Sequence, residues 1–245
     1  MKIDYAGICD IGCSRKVNQD AIAMFSIEEI GVFVVADGMG GHTNGEIASQ
    51  CIVHEITQWW EHFSEKQYEF DFQKMLQSII QVLENANKII YQDYNKNEIC
   101  GSTAVILFIY KEKYGVVYAG DSRCYIYSKR KLKQLTVDEV WENSVGLSVN
   151  ERNNLKHPNR GKLVNAIGIK ENLQCKVLTD RMISQSVFLL CSDGFYKLCS
   201  EKYIKACLKK SKDSKRINII EHEMLGKVYK NGSTDNISMI IVSLI

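Results

Sequence analysis

Short apolar runs bounded by Gly or Asp alternate along this chain with longer stretches in which apolar residues return every third or fourth position. Four of the runs, 32–36, 103–110, 114–119 and 187–191, are rich in Val, Ile and aromatic residues and predict strands; a fifth, 237–244, ends the sequence. Between the first and second runs, helical spacing carries Ile47, Cys51, Ile52, Ile56, Trp59 and Phe63 along one stretch. A second stretch through Phe72, Met75, Ile79, Leu83, Ala86, Ile90 and Tyr94 keeps one face apolar for about six turns. A third, 214–229, precedes the last strand.

Strands outnumber helices, and runs 103–110 and 114–119 are separated by Lys111-Glu112-Lys113, as in an antiparallel hairpin. That spacing disfavours a doubly wound parallel sheet. Strands this apolar are expected where both faces are covered, so the pattern suits two packed sheets flanked by helices. Residues 138–162, with Asn, Glu, Arg and the only proline, Pro158, predict a flap-like surface excursion. The apolar stripes, Trp59 and Trp60 included, read as core rather than as a docking face. Lys209, Lys210 and Lys212 read as a solvated helix end.

A chain of 245 residues, 45% hydrophobic and 24% charged, predicts one globular domain over 1–245. Thirty-one basic residues against 29 acidic ones point to neither a nucleic acid nor an anionic membrane as partner. Nine cysteines form no Cys-x-x-Cys pair, and several lie in apolar runs as buried thiols do. No basic start leads into an apolar signal core, and no window approaches the roughly 18 apolar residues of a membrane span, so the cytoplasm is the expected address. On that expectation the glycosylation sequon at Asn231-Gly232-Ser233 has no consequence.

The aspartates carry the chemistry. Apolar runs lead into Asp37-Gly38 and Asp193-Gly194, and Asp235-Asn236 stands directly before the last strand. A carboxylate at the end of a buried strand is costly unless solvated, hydrogen-bonded or neutralised, and a divalent cation is the strongest neutraliser. One Asp-Gly is an ordinary turn, but three such positions beside a glycine-rich loop favour a metal site. The loop runs Asp37-Gly-Met-Gly-Gly-His-Thr-Asn-Gly45-Glu, and its glycines allow close backbone approach to an ion or phosphate. It lacks both Gly-x-Gly-x-x-Gly and the Gly-Lys-Ser/Thr of a nucleotide loop. Upstream, Arg15 offers a guanidinium fork for phosphate, with Asp20 five residues on.

Arg15…Asn18-Gln19-Asp20, Ala36-Asp37-Gly38-Met39-Gly40-Gly41-His42, Gly101-Ser-Thr103, Gly120-Asp121-Ser122-Arg123, Ser192-Asp193-Gly194 and Thr234-Asp235-Asn236 resemble, in that order, motifs of the metal-dependent (type 2C, PPM) serine/threonine protein phosphatases. The Asp-Gly-Met-Gly-Gly form is similar to that of the bacterial branch. The resemblance implies an α+β, four-layer α-β-β-α sandwich, two antiparallel sheets flanked by helices, with a dinuclear metal site at one end. It implies two divalent cations, Mn2+ or Mg2+, and a weaker third. Asp37 would bridge the two metals, the Gly38 carbonyl would bind one, and Asp193 and Asp235 the other. Asp20 would act beside them through water or hydrogen bonds, Asp121 would serve the third metal, and Arg15 would hold the substrate phosphate. All-oxygen ligands select hard cations, and water between two such ions loses a proton near neutral pH and attacks phosphorus in line, without a phosphoenzyme. The implied partners are phosphorylated Ser/Thr proteins, as kinase substrates or a cognate kinase, and a monomer is expected.

Three positions depart from the family pattern. Met39 stands where some members carry a proposed general acid, leaving His42 as a candidate proton donor or a loop hydrogen-bonder. Thr136-Val-Asp138-Glu139 replaces Thr-x-Asp-His, and Asn165 stands where Arg is common. The last two surround the excursion and bear on specificity and the third metal. Two rival readings remain. Cys9 and Arg15 fit the Cys-x5-Arg of cysteine-dependent phosphatases, although Lys16 stands where Ser or Thr is usual. A non-catalytic, metal-binding regulatory module of the same fold is the other.

Overall fold

The computed structural model describes residues 2–40, 44–64, 71–95, 99–146, 151, 156–183 and 185–244. In chain order the strands are β1 (Ile3–Asp10), β2 (Asp20–Ile27), β3 (Ile30–Gly40), β4 (Cys100–Ser102), β5 (Ala104–Tyr110), β6 (Lys113–Ala119), β7 (Arg123–Ser128), β8 (Lys131–Gln134), β9 (Lys176–Arg181), β10 (Val187–Cys191) and β11 (Ile237–Leu244). One sheet runs β1-β11-β10-β7-β8 and the other β2-β3-β5-β6-β9, with β4 paired to the end of β3. Every pairing between these strands is antiparallel.

The helices are α1 (Asn44–Ser64), α2 (Phe72–Ile89), α3 (Trp141–Ser144), α4 (Asp193–Tyr196), α5 (Glu201–Lys210) and α6 (Ile217–Lys230). Helix α2 starts where Asp71 accepts the Gln73 N–H at 3.2 Å and runs on into a π-helical turn, Ile90–Tyr94. Helix α5 starts where Ser200 accepts the Tyr203 N–H at 3.3 Å.

Period-two alternation sorts the strand side chains into three apolar layers. Val32, Val34, Ile106 and Phe108 pack against Ile52, Ile56, Ile79 and Leu83 of α1 and α2. Phe33, Val35, Val105 and Leu107 face Phe188, Leu190, Ile240 and Val242 of the other sheet. Leu189, Ile241 and Met239 lie under Ile204, Leu208, Ile220 and Met224 of α5 and α6. With both faces buried, β3, β5, β10 and β11 read as unbroken apolar runs. Trp60 stacks on Phe25 with ring centroids 5.7 Å apart, and Trp59 donates to Ser78 Oγ at 2.9 Å, so this aromatic group ties α1 to β2 and α2.

Two expectations need correction. The run at 32–36 predicts a strand that ends before Asp37-Gly38, but β3 continues to Gly40 because β4 gives it a partner, with Gly38 opposite Ser102 and Gly40 opposite Cys100. The excursion was expected to start at 138, yet Glu139 and Val140 are buried and Asp138 is ion-paired to Arg123 at 2.7 Å. Of the rest of that span, 147–150 and 152–155 lie outside the described residues. The nine cysteines are free thiols, five of them buried. Among the described residues no helix is long and apolar enough to cross a membrane.

Candidate functional site

Antiparallel pairing of β2 with β3 sets Asp20 directly opposite Asp37, so two carboxylates from distant motifs share one face of the sheet. Asp37 is fixed through its backbone: its N–H donates to Thr103 Oγ1 at 3.1 Å and its carbonyl accepts from the Thr103 N–H at 2.9 Å. Thr103 Oγ1 lies 2.7 Å from Ser122 Oγ, next to Asp121, which joins two further motifs. Asp20 accepts from the Ser192 hydroxyl at 2.9 Å, one residue before Asp193.

Gly38 donates to the Gln19 carbonyl at 3.0 Å. A Cβ on Gly38 would come within 2.1 Å of the Gly45 carbonyl oxygen, and one on Gly194 within 2.0 Å of the Asn236 carbonyl oxygen. Both glycines are required by close backbone approach. Asn236 ties the chain ends together: its Oδ1 accepts from the Gln19 N–H at 2.9 Å, and its Nδ2 donates to the carbonyls of Ile11 at 2.9 Å and Val17 at 3.1 Å. Asn236, Thr103, Gln19 and Ser192 position the site without being singled out as functional from sequence; Gln19, Ser192 and Asn236 each adjoin a singled-out Asp, and that adjacency was the available signal, whereas Thr103 lies beside Ser102 and Ala104.

Asp37, Asp121, Asp193, Asp235 and Arg15 line one cavity of about 270 Å³, with Gly38, Met39, Gly161 from the excursion and Leu163 just after it in its wall. A larger cleft, about 490 Å³, lies among the turns around Glu29 and Lys111, at the other end of β3 and β5. His42 lies outside the described residues.

Five carboxylates thus gather where few cations answer them. Burial pushes Asp20 up to about 6, against the Ser192 hydroxyl and with help from the charges of Asp193 and Asp235. Burial and Asp193 push Asp121 to about 6, opposed by Lys197. Asp37 is held well above the carboxylate range by burial and then by Asp20, Asp193, Asp121 and Asp235. Arg15 reaches Asp235 with Nε at 2.9 Å and Nη2 at 3.0 Å, and Lys197 lies 2.5 Å from Asp193. With these two pairs formed, no group of three or more His, Cys, Asp or Glu among the described residues is arranged to hold a metal ion as it stands. The donor set is nonetheless the one hard cations require: oxygen only, partly buried and short of positive charge.

Residues 14–221 match the family model described as Protein phosphatase 2C. The chain is 26% identical over 238 residues to "Serine/threonine phosphatase stp" of Listeria monocytogenes serotype 4b, covering 95% of this chain and 92% of that protein. Its fold is similar to that of the S. agalactiae serine/threonine phosphatase, with a TM-score of 0.85 at 23% identity and full coverage of both chains. It is also similar to the catalytic domain of the serine/threonine protein phosphatase PstP in complex with two manganese ions, with a TM-score of 0.79 at 22% identity over 98% of this chain and 97% of that one.

Proposed function

The chain belongs to the protein phosphatase 2C family, and from that premise we propose that it hydrolyses phosphoserine and phosphothreonine in proteins at the cavity where Asp37, Asp121, Asp193 and Asp235 meet Arg15. It is a hydrolase of the serine/threonine protein phosphatase type. The observation that carries the rest is the crowding of carboxylates from five separate motifs, three of them pushed towards protonation by burial and by one another. Such a cluster is stable in ionised form only with added positive charge, and its oxygen-only donors fit Mn2+ or Mg2+.

When bound, two such ions supply Lewis acidity and an activated water for in-line attack on phosphorus. Asp37 would serve both ions, the Gly38 carbonyl would hold one, and Asp193 and Asp235 would hold the other. Asp20 acts from behind, oriented by Ser192, and Asp121 stands to one side. Arg15 is half exposed at the mouth, where its fork meets the substrate phosphate and stabilises charge on the transferring oxygens. Residues 1–245 work as one catalytic domain on phosphorylated proteins made by a cognate kinase, with the excursion beside the cavity meeting the substrate.

The test is phosphate release from a phosphothreonine peptide with Mn2+, with EDTA, and with Asp193→Ala. Release is expected only from the unaltered chain with Mn2+. Activity that survives EDTA removes the two-metal mechanism; thermal stabilisation by Mn2+ with no release under any condition would instead make the protein a regulatory module.

A further inference from the structure

The segment 193–197 delivers three groups to one side of the centre. Asp193 opens α4, Tyr196 closes it, and Lys197 follows one turn after Asp193. The Tyr196 hydroxyl donates to Asp121 Oδ2 at 3.4 Å, while Lys197 Nζ lies 2.5 Å from Asp193 Oδ2. Adjacent residues therefore bind the two carboxylates separately. Tyr196 is held in place by the Arg123 guanidinium, stacked 3.6 Å from its ring centre and itself forked onto Asp138 with contacts of 2.7 and 2.9 Å. Lys197 is thus anchored beside a fixed neighbour, and its charge is also felt by Asp121 and Asp37.

Arg15 is paired with Asp235, and Lys197 is the cation that pairs with Asp193 and whose charge acts on Asp121. An ammonium is a compact, strongly hydrated point charge, closer to an ion than a guanidinium is. A divalent ion placed between Asp121 and Asp193 would be repelled by it and would have to displace it. Lys197 takes one oxygen of Asp193, and the other makes no hydrogen bond among the described residues. We propose that Lys197 is a tethered cation standing in for a third metal between Asp193 and Asp121, so that this protein takes up two divalent ions and refuses the weaker third. The inference rests on the two-metal reading of the same cluster.

Calorimetric titration of the chelator-stripped chain with MnCl2 tests it, using Lys197→Met, which keeps the length and drops the charge, and Lys197→Arg, which keeps the charge. The unaltered chain and Lys197→Arg should bind two ions, and Lys197→Met a third, about tenfold or more weaker than the others. The Lys197 side chain is 61% exposed, so the Met variant should fold. In EDTA it should melt below the unaltered chain, and it should gain more from Mn2+. Three ions in the unaltered chain, or superimposable isotherms and equal Mn2+ stabilisation for the chain and its Met variant, would overturn the role of Lys197 alone. No Mn2+ binding by the unaltered chain would overturn the two-metal reading itself.

Discussion

Asn165 donates its amide to Glu139 Oε2 at 2.9 Å, so two of the positions that depart from the family pattern are in direct contact. The same Glu139 oxygen accepts the Gly120 N–H at 2.9 Å, and Lys176 lies 3.3 Å from Oε1. Asn165 spends its second amide hydrogen on the Gln174 carbonyl at 2.8 Å. The two departures form one polar clamp, joining the turn before Asp121 to the chain that returns from the excursion.

Glu139→Ala leaves the buried Gly120 N–H and the Asn165 amide without their acceptor. It should cost about 1–3 kcal/mol, a fall of roughly 5 °C in melting temperature for a chain of this size. Glu139→Gln keeps one acceptor oxygen and should cost less. Because the pair is in contact, the loss in Glu139→Ala/Asn165→Ala should fall short of the sum of the single losses. Strict additivity in thermal melts would show that the contact carries no coupling.

In chelator, stability should fall as pH rises through the range where the site loses its protons. Burial and neighbouring carboxylates hold Asp20 and Asp121 at about 6 and Asp37 higher in the folded chain, whereas unfolded carboxylates titrate near ~4. Between those values the folded state keeps protons that the unfolded state has released, so the contribution is complete below about pH 4 and is lost upward through about pH 6 and beyond. Melting curves in EDTA from pH 4.5 to 7.5, a range of about 3 units, should show this decline over and above any from other groups. Asp20→Asn should flatten it, and Mn2+ at neutral pH should reverse it.

What was legible in the sequence follows from burial on two faces. Val187–Cys191 and Ile237–Leu244 are buried throughout and stand out with their bounds intact. Lys176–Arg181, an edge strand with charged and exposed side chains, gives no apolar signal, and Ile3–Asp10 and Asp20–Ile27 alternate too weakly to be picked out. The aspartates at 37, 193 and 235 were visible because apolar runs flank them. Their convergence depends on cross-strand register, such as Asp20 opposite Asp37, which no local pattern encodes. Lys197 was missed because a lysine one turn after an aspartate resembles any solvated helical pair.

Gly194→Ala should be among the most damaging single-methyl changes. The added carbon would lie 2.0 Å from the Asn236 carbonyl oxygen, a backbone atom that cannot rotate away. Asn236 also holds Ile11, Val17 and Gln19, so displacement would loosen the loop that carries Arg15 as well as Asp193 and Asp235. A loss of about 3 kcal/mol is expected, together with weaker Mn2+ binding. Gly226→Ala, in mid-helix where a Cβ meets nothing within 4 Å, is the matched control; it should leave Mn2+ binding unchanged and stabilise the chain by up to about 1 kcal/mol.

Cys9→Ser should retain phosphatase activity, and EDTA should abolish it in both forms. A thiol nucleophile needs a low pKa and a loop of free N–H groups around its phosphate. Cys9 lies inside β1, where burial raises its pKa; its thiol donates to the Asp20 carbonyl at 3.4 Å and accepts from Asn18 Nδ2 at 3.2 Å. The Gly12 N–H, which such a loop would aim at phosphate, is taken by Asp10 Oδ1 at 2.7 Å. The thiol and the N–H that this mechanism would recruit are therefore engaged elsewhere. Inactivation of Cys9→Ser with unchanged melting temperature and Mn2+ affinity would return the chemistry to sulfur.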